Sequence, residues 1–436
     1  MEPADEILYR CSFIDRKPID QKALFPLLSK IDDWGGFLEK AFFHRVPLRL
    51  YSLLKRHGAA SLLDSATWAK IESSYFKAQA FVMSHEAELH SLLPEFNRAG
   101  VDVLLLKGAA LLQTVYRKKP LRFLVDLDLL VRQVDFSHAE NLLQEEGYQQ
   151  KPIRSHLPSA WHDRELGSQI RRGTSTWVHP ERNVKIDLHE EAFEELSFFR
   201  FEPDWMWQKA SPILINGHRA FLPSPANLFI HLLLHLVKHA RMWENSLGWY
   251  LDLDECLRYF KKEINGKACL EILQKNQGAG KAFEILAFLD QNLGSPIPTE
   301  LKSTLQKNDT PSLSRESIFF LPSTRSGLRS THADWRDPAE LFLFYWGQMR
   351  GWGKKFWFLW YWVFPDPSYL ETKYPFGSLL EKIKAYLIHF ASMTGKGVRL
   401  FPHLLRSQSA CPNRKNGYTL LSRFFRARHG EKYPHS

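Results

Sequence analysis

Cysteine is scarce in this chain: 436 residues carry four, Cys11, Cys256, Cys269 and Cys411, and none forms a Cys-x-x-Cys pair. That excludes a cysteine zinc site and a disulfide framework, and the expectation is a reducing compartment. No apolar run reaches the roughly 20 residues that span a bilayer. The opening residues Met1-Glu2-Pro3-Ala4-Asp5-Glu6 are acidic and lack an apolar core, so no secretory signal is expected and a cytoplasmic location is. No internal repeat is visible. With 44% hydrophobic and 24% charged residues there is ample material for a core and for two or three domains.

Acidic charge is also in deficit, the net charge being +10 and the pI about 9.2. Such a surplus suits an anionic partner, whether nucleotide, nucleic acid or membrane surface. Much of it is local: Arg117, Lys118 and Lys119 precede Arg122, Arg171 and Arg172 precede a hairpin, and the tail carries Arg406, Arg414, Lys415, Arg423, Arg426, Arg428 and Lys432. The cluster near Arg122 suits a nucleoside triphosphate or an anionic acceptor. Nucleic acid is the less favoured partner.

Chemistry concentrates where Val125-Asp126-Leu127-Asp128-Leu129-Leu130-Val131 places two carboxylates on one face of an apolar strand. Two like charges about 4 Å apart repel by roughly 4 kcal/mol at a near-surface dielectric. A divalent cation is the usual offset; a solvated strand end is the alternative. Upstream, 101–106 reads as a buried strand, and Gly108 opens a helix through Ala109, Leu111, Leu112 and Val115. A glycine between strand and helix lets a phosphate approach backbone amides and a positive helix end, or it is only a tight turn. Lys107 and Arg122 are cationic candidates for the same anion.

Asp135 is expected to cap a helix that stops at Gly147. Residues 174–178 and 184–188 read as two strands around Pro180-Glu181-Arg182-Asn183. The second contains Asp187, with His189 just beyond. Asp126, Asp128 and Asp187 together match a two-metal phosphoryl-transfer centre. Residues from about 20 to 98 read as helices broken at Gly35-Gly36 and Gly58, the last near 75–98.

Ser224-Pro225 marks a helix start. His231, His235 and His239 then recur every four residues, and Asp252 and Asp254 follow on the next helix. A zincin needs Glu after its first His, where Leu232 stands. The row therefore reads as structural or pocket-lining histidines, with Asp252 able to orient a ring.

Past residue 290 the chain becomes rich in proline, and Phe356 to Phe364 forms nine apolar residues beside Lys354-Lys355. That run is either an aromatic helix folded on the body or an interfacial membrane contact.

The ordered set Leu106-Lys107-Gly108, Tyr116, Arg122, Asp126-Leu127-Asp128-Leu129-Leu130-Val131, Gly147-Tyr148 and Asp187-Leu188-His189 resembles the uncharacterised nucleotidyltransferase-like family of the polymerase-β-type nucleotidyltransferase superfamily. The likeness covers roughly residues 20 to 390, is strongest from 100 to 260, and extends weakly to His235, His239 and Asp252. It implies an α/β (α+β) core, a small mixed sheet embedded in a largely helical protein. It further implies Mg²⁺ or Mn²⁺ on Asp126, Asp128 and Asp187, with Gly108 against the triphosphate. Two departures stand out: Ala109 replaces the superfamily's usual Ser or Gly, removing a possible phosphate contact, and the gap to the first Asp is longer.

The expected organisation is a helical module at 1–98, the nucleotidyltransferase-like core at 99–222, a helical module at 223–295, a connector and aromatic region at 296–400 and a basic tail at 401–436. The expected reaction moves a nucleoside monophosphate from a triphosphate to an acceptor. Asp126, Asp128 and Asp187 are then the catalytic and metal residues, Lys107, Gly108 and Arg122 the nucleotide contacts, and His189, His235, His239 and Asp252 further pocket candidates. The alternatives are an idle nucleotide- or partner-binding relative and a membrane-surface adaptor.

Overall fold

The computed structural model describes residues 1–14, 21–118, 121–151, 174–193, 199, 201–202, 204–241, 245–276 and 279–319, and, further on, 353, 356, 359–360, 364–365, 370, 374 and 377–390. Lys119, Arg171, Arg172 and the tail at 401–436 lie outside the described residues, as do all of 356–364 except Phe356, Leu359, Trp360 and Phe364. The chain divides into two compact units, Met1–Lys151 with Arg172–Ser323, and Pro152–Arg171 with Thr324–Ser436.

The first unit begins with α1 (Pro3–Arg10), α2 (Gln21–Leu28), α3 (Trp34–Phe43), α4 (Pro47–Arg56) and α5 (Ser65–Arg98). Helix α1 extends the helices to the start of the chain, where Ile7 and Leu8 are fully buried and the Tyr9 hydroxyl donates to the Asn292 carbonyl at 2.8 Å. Gly35 and Gly36 do not break a helix: they form the first turn of α3, where the Gly36 amide donates to Asp33. Asp64 caps α5 by accepting from the amides of Ala66 and Thr67, so that helix starts earlier than 75.

A seven-stranded sheet follows, ordered β3-β4-β5-β2-β1-β7-β6. Its strands are β1 (Leu104–Leu105), β2 (Leu127–Leu130), β3 (Gln149–Gln150), β4 (Thr174–Val178), β5 (Lys185–His189), β6 (Ser211–Ile215) and β7 (His218–Leu222). β2 runs parallel to β5 and antiparallel to β1, while β1 runs parallel to β7, so the sheet is mixed. Leu104, Leu105, Leu129, Ile186 and Leu188 are fully buried at its centre. Of the expected strand 101–106, Leu104–Leu105 is strand, and backbone bonds to the neighbouring strands continue on either side, from the Phe221 amide to the Val103 carbonyl at 2.8 Å and from the Leu106 amide to the Asp128 carbonyl at 3.0 Å.

Helices α6 (Lys107–Gln113) and α7 (Phe136–Glu145) belong to the core. Asp135 precedes α7 without a side-chain cap, because a 3-10 turn, Gln133–Asp135, leads into the helix. Then come α8 (Pro225–Arg241), α9 (Leu247–Tyr259), α10 (Gly266–Lys275), α11 (Ala279–Phe288), α12 (Thr299–Lys307) and α13 (Arg315–Phe319). The start of the expected connector thus holds two helices.

In the second unit Leu370, Ala385 and His389 are buried, and the Tyr386 hydroxyl donates to the Pro365 carbonyl at 2.9 Å. Among the described residues no helix is long and apolar enough to cross a membrane.

Candidate functional site

Strand parity builds the site. Asp128 of β2 stands in register with Asp187 of β5, and Leu130 with His189. The alternate residues Leu127 and Leu129 face Ile186 and Leu188 in the core, so Asp126, Asp128 and Asp187 share the opposite face. That face is not open, Asp128 being only 3% exposed.

Each acid is met by a cation. The Lys107 ammonium donates to Asp128 Oδ1 at 2.6 Å, and His189 Nε2 lies 2.9 Å from the same oxygen. Lys185 donates to Asp187 Oδ2 at 2.7 Å and to Asp126 Oδ2 at 3.1 Å. Two threonines of β4 complete the set: Thr176 donates to Asp187 Oδ1 at 2.7 Å, and Thr174 Oγ1 lies 2.9 Å from His189 Nδ1. The repulsion expected between the acids is therefore offset by protein ammonium groups.

Lys107 reaches Asp128 from a backbone at φ +41°, a left-handed conformation that disfavours side chains and tends to mark functional sites. It holds this place at the start of α6 while the Leu106 amide donates to the Asp128 carbonyl at 3.0 Å. Next to it, Gly108 makes room for other side chains: a Cβ there would stand 2.5 Å from Arg122 Nη1 and closer still to Leu124.

Arg122, expected at a phosphate, is engaged elsewhere. Its Nε and Nη2 donate to Asp252 Oδ1 and Oδ2, each at 3.0 Å, and the Tyr116 hydroxyl donates to Asp252 Oδ1 at 3.1 Å. This buried clamp ties the segment before β2 to α9, and it brings together three residues that the sequence had separated into different roles.

Arg45 was not foreseen. It occupies the residue after the C-cap of α3, at φ +59°, where the Arg45 amide donates to the Phe42 carbonyl and the Val46 amide to Ala41, each at 2.9 Å. This is the Schellman ending usually given to glycine. The guanidinium lies 4.9 Å from the Trp249 ring centroid and lines a cleft with Arg49, Tyr116, Arg122, Gly248 and Asp252.

The charges set the protonation of the site. Burial and the adjacent Asp128 push the Asp126 carboxyl up, yet Lys185, Arg45 and Lys107 outweigh them and hold it below the usual range. Asp128 is opposed by burial as well and is held well below the usual range by Lys107 and His189. Burial works against the Lys185 ammonium, but Asp126 and Asp187 raise it above the usual lysine range.

The histidine row of α8 approaches the same charges. His231 is 1% exposed, and neither ring nitrogen has a hydrogen-bond partner among the described residues; its ring packs edge-on to Phe193 at 5.0 Å. Burial, then Lys107, drives His231 and His235 well below the usual histidine range. His235 and His239 pack on Trp249 with centroids at 5.6 and 4.4 Å. Among the described residues no three His, Cys, Asp or Glu groups converge closely enough to ligate one ion. Arg117 and Lys118 are exposed.

Among residues that the sequence reading missed, Lys185, Thr174 and Thr176 had a legible signal. Lys185 shares parity with Asp187 in β5, and the threonines lie opposite the two β5 residues they contact. Arg45 had none, because its place depends on contacts between segments far apart in the chain.

A crystal structure of an antigenic nucleotidyltransferase-like protein from Paracoccidioides brasiliensis is similar over 51% of this chain and 94% of its own, at 15% identity and a TM-score of 0.31. No curated protein matches the chain. The model of a family described as uncharacterised nucleotidyltransferase matches residues 31–294. Since that match takes in more than half of the chain and every acid and lysine of the site, the chain belongs to the uncharacterised nucleotidyltransferase family.

Proposed function

We propose that the protein transfers a nucleoside monophosphate from a nucleoside triphosphate to an acceptor, using divalent metal. Family membership supports nucleotidyl transfer in general. The observation that carries the finer reading is the in-register pair Asp128 and Asp187 on parallel strands, with Asp126 tied to Asp187 through the Lys185 ammonium. The three acids do not converge on one point among the described residues, but the oxygens are all carboxylate, those of Asp126 and Asp187 already share the Lys185 ammonium and that of Asp128 holds Lys107, so the donor chemistry suits a hard cation that draws them together. Asp126, Asp128 and Asp187 would hold Mg²⁺ or Mn²⁺, which when bound supplies Lewis-acid polarisation of the phosphate and a more acidic acceptor hydroxyl.

The chain's own groups divide the remaining work. Lys107 and Arg45, cations beside the acids, are the phosphate contacts, and Lys185 joins them once released from its carboxylates. Gly108, Arg122, Tyr116 and Asp252 position the segment leading into β2. His189 orients Asp128 through Nε2 while Thr174 fixes its other nitrogen. Neutral His231 and His235 lie near Lys107 as pocket walls.

The charge count is consistent with this reading. Three carboxylates face Lys107, Lys185 and Arg45, so a neutral complex of two Mg²⁺ and a fully ionised triphosphate can enter without leaving net charge. The test offers each of the four nucleoside triphosphates with Mg²⁺ or Mn²⁺ and follows pyrophosphate release and the mass of protein and added acceptors. Turnover in the wild type and its loss in Asp128→Asn is the expected result. Metal-independent nucleotide binding with no pyrophosphate release under any condition supports the idle relative instead, a reading favoured by acids that already carry their own counter-ions.

A further inference from the structure

Lys185 precedes Asp187 by two residues on β5, so both side chains leave the same face of the strand. Its ammonium bridges Asp187 Oδ2 on β5 and Asp126 Oδ2 on the residue just before β2, the strand next to β5 in the sheet. A bridge between carboxylates is the position a divalent cation takes in a carboxylate site. One positive charge on a flexible stem thus fills a place suited to two.

We propose that Lys185 is a resident counter-ion that a divalent cation must displace from Asp126 and Asp187, so that this half of the site is closed to metal while Lys185 is seated. The proposal rests on the reading of these acids as cation ligands. Lys185 is built to leave. Its side chain is 33% exposed, against 17% for Lys107, and its four-carbon stem turns freely. Asp187 keeps the Thr176 hydrogen bond on its other oxygen after the departure, so the carboxylate stays aimed at the site. Lys107 differs, because it is the deeper cation and shares its oxygen with His189. The two halves of the site are therefore unequal, one sealed by a buried lysine and one latched by a movable one.

Displacement costs two charge-assisted hydrogen bonds, which is enough to weaken metal binding by about tenfold or more. Direct Mn²⁺ titration of the full chain, read by electron paramagnetic resonance or calorimetry without nucleotide, measures that weakening. Lys185→Gln should bind Mn²⁺ with a Kd at least about tenfold lower than the wild type. The double variant Lys185→Gln with Asp187→Asn should lose the gain. Equal affinities in wild type and Lys185→Gln overturn the role of Lys185 and leave the acids as metal ligands. Failure of both proteins to bind Mn²⁺ overturns the metal centre as well.

The wild type supplies a second readout that needs no variant. Amine-directed labelling of Lys185, quantified by peptide mass spectrometry, should rise when Mn²⁺ is added, because the displaced ammonium becomes accessible. Labelling that stays constant at saturating Mn²⁺ overturns the proposal even if Lys185→Gln does not fold.

Discussion

Gly108 lies directly beneath Arg122, so close that a methyl group on Gly108 would stand 2.5 Å from the guanidinium. The glycine and the arginine are one packing unit. Gly108→Ala should push Arg122 off Asp252 and destabilise the fold by about 1–3 kcal/mol, the range for overpacking a filled interior. Thermal unfolding measures it, and an unchanged Tm would mean that the clamp yields without cost.

Arg122→Ala should act on stability first. It strands the Asp252 carboxylate, 4% exposed, and breaking a buried pair from one side costs about 3–5 kcal/mol. Arg122→Met combined with Asp252→Leu should recover most of that loss in a denaturation cycle. A variant with wild-type Tm and only weakened nucleotide affinity would return Arg122 to a phosphate-binding role.

Asp128→Ala tests whether the acids strain the empty site. Repulsion alone predicts a gain in stability on removing one of them. The ammonium of Lys107 reverses this, since without Asp128 it loses its hydrogen-bonded partner in a buried setting, and a loss of about 3 kcal/mol or more follows. Asp126→Ala should cost less, because Lys185 retains Asp187. Both should abolish transfer; equal Tm shifts for the two variants would contradict the asymmetry.

Stability should also record His44. Burial, aided by Lys40, lowers its imidazole to about 3, from an ordinary value near 6.5. A histidine held neutral on folding binds its proton more readily when unfolded. Its contribution is therefore complete above about pH 6.5 and is withdrawn progressively as pH falls toward 3. His44→Gln keeps an acceptor for the Leu247 amide, which now donates to Nδ1 at 3.4 Å, and does not titrate. Denaturant midpoints from pH 8 to 4 should decline less steeply for this variant; parallel curves would exclude His44 as the cause.

Local pattern made part of this protein legible. The alternation of Asp126 and Asp128 with Leu127 and Leu129 fixed their common face, and Pro225 marked the start of α8, because both signals act over a few residues. Strands β6 and β7 escaped notice although Asn216-Gly217 joins them, with both residues at positive φ, as such hairpin turns require. Pro212 and the exposed pattern of β6 hide the strand, since proline suits only a sheet edge. The pairing of Arg122 with Asp252 and the approach of Arg45 were illegible for a different reason. Charge at each position was visible, but the partner was chosen by tertiary folding across the chain.

The register of β2 against β5 has a further consequence for folding. A slip of one residue would turn Leu127, Leu129 or their partners Ile186 and Leu188 out of the core and bring an aspartate into it. The hydrogen-bond ladder that seats the leucines is the same one that sets Asp128 beside Asp187. A chain that has buried this core has thereby assembled its acids, so recovery of the site during refolding should keep pace with recovery of the core and show no separate slow phase.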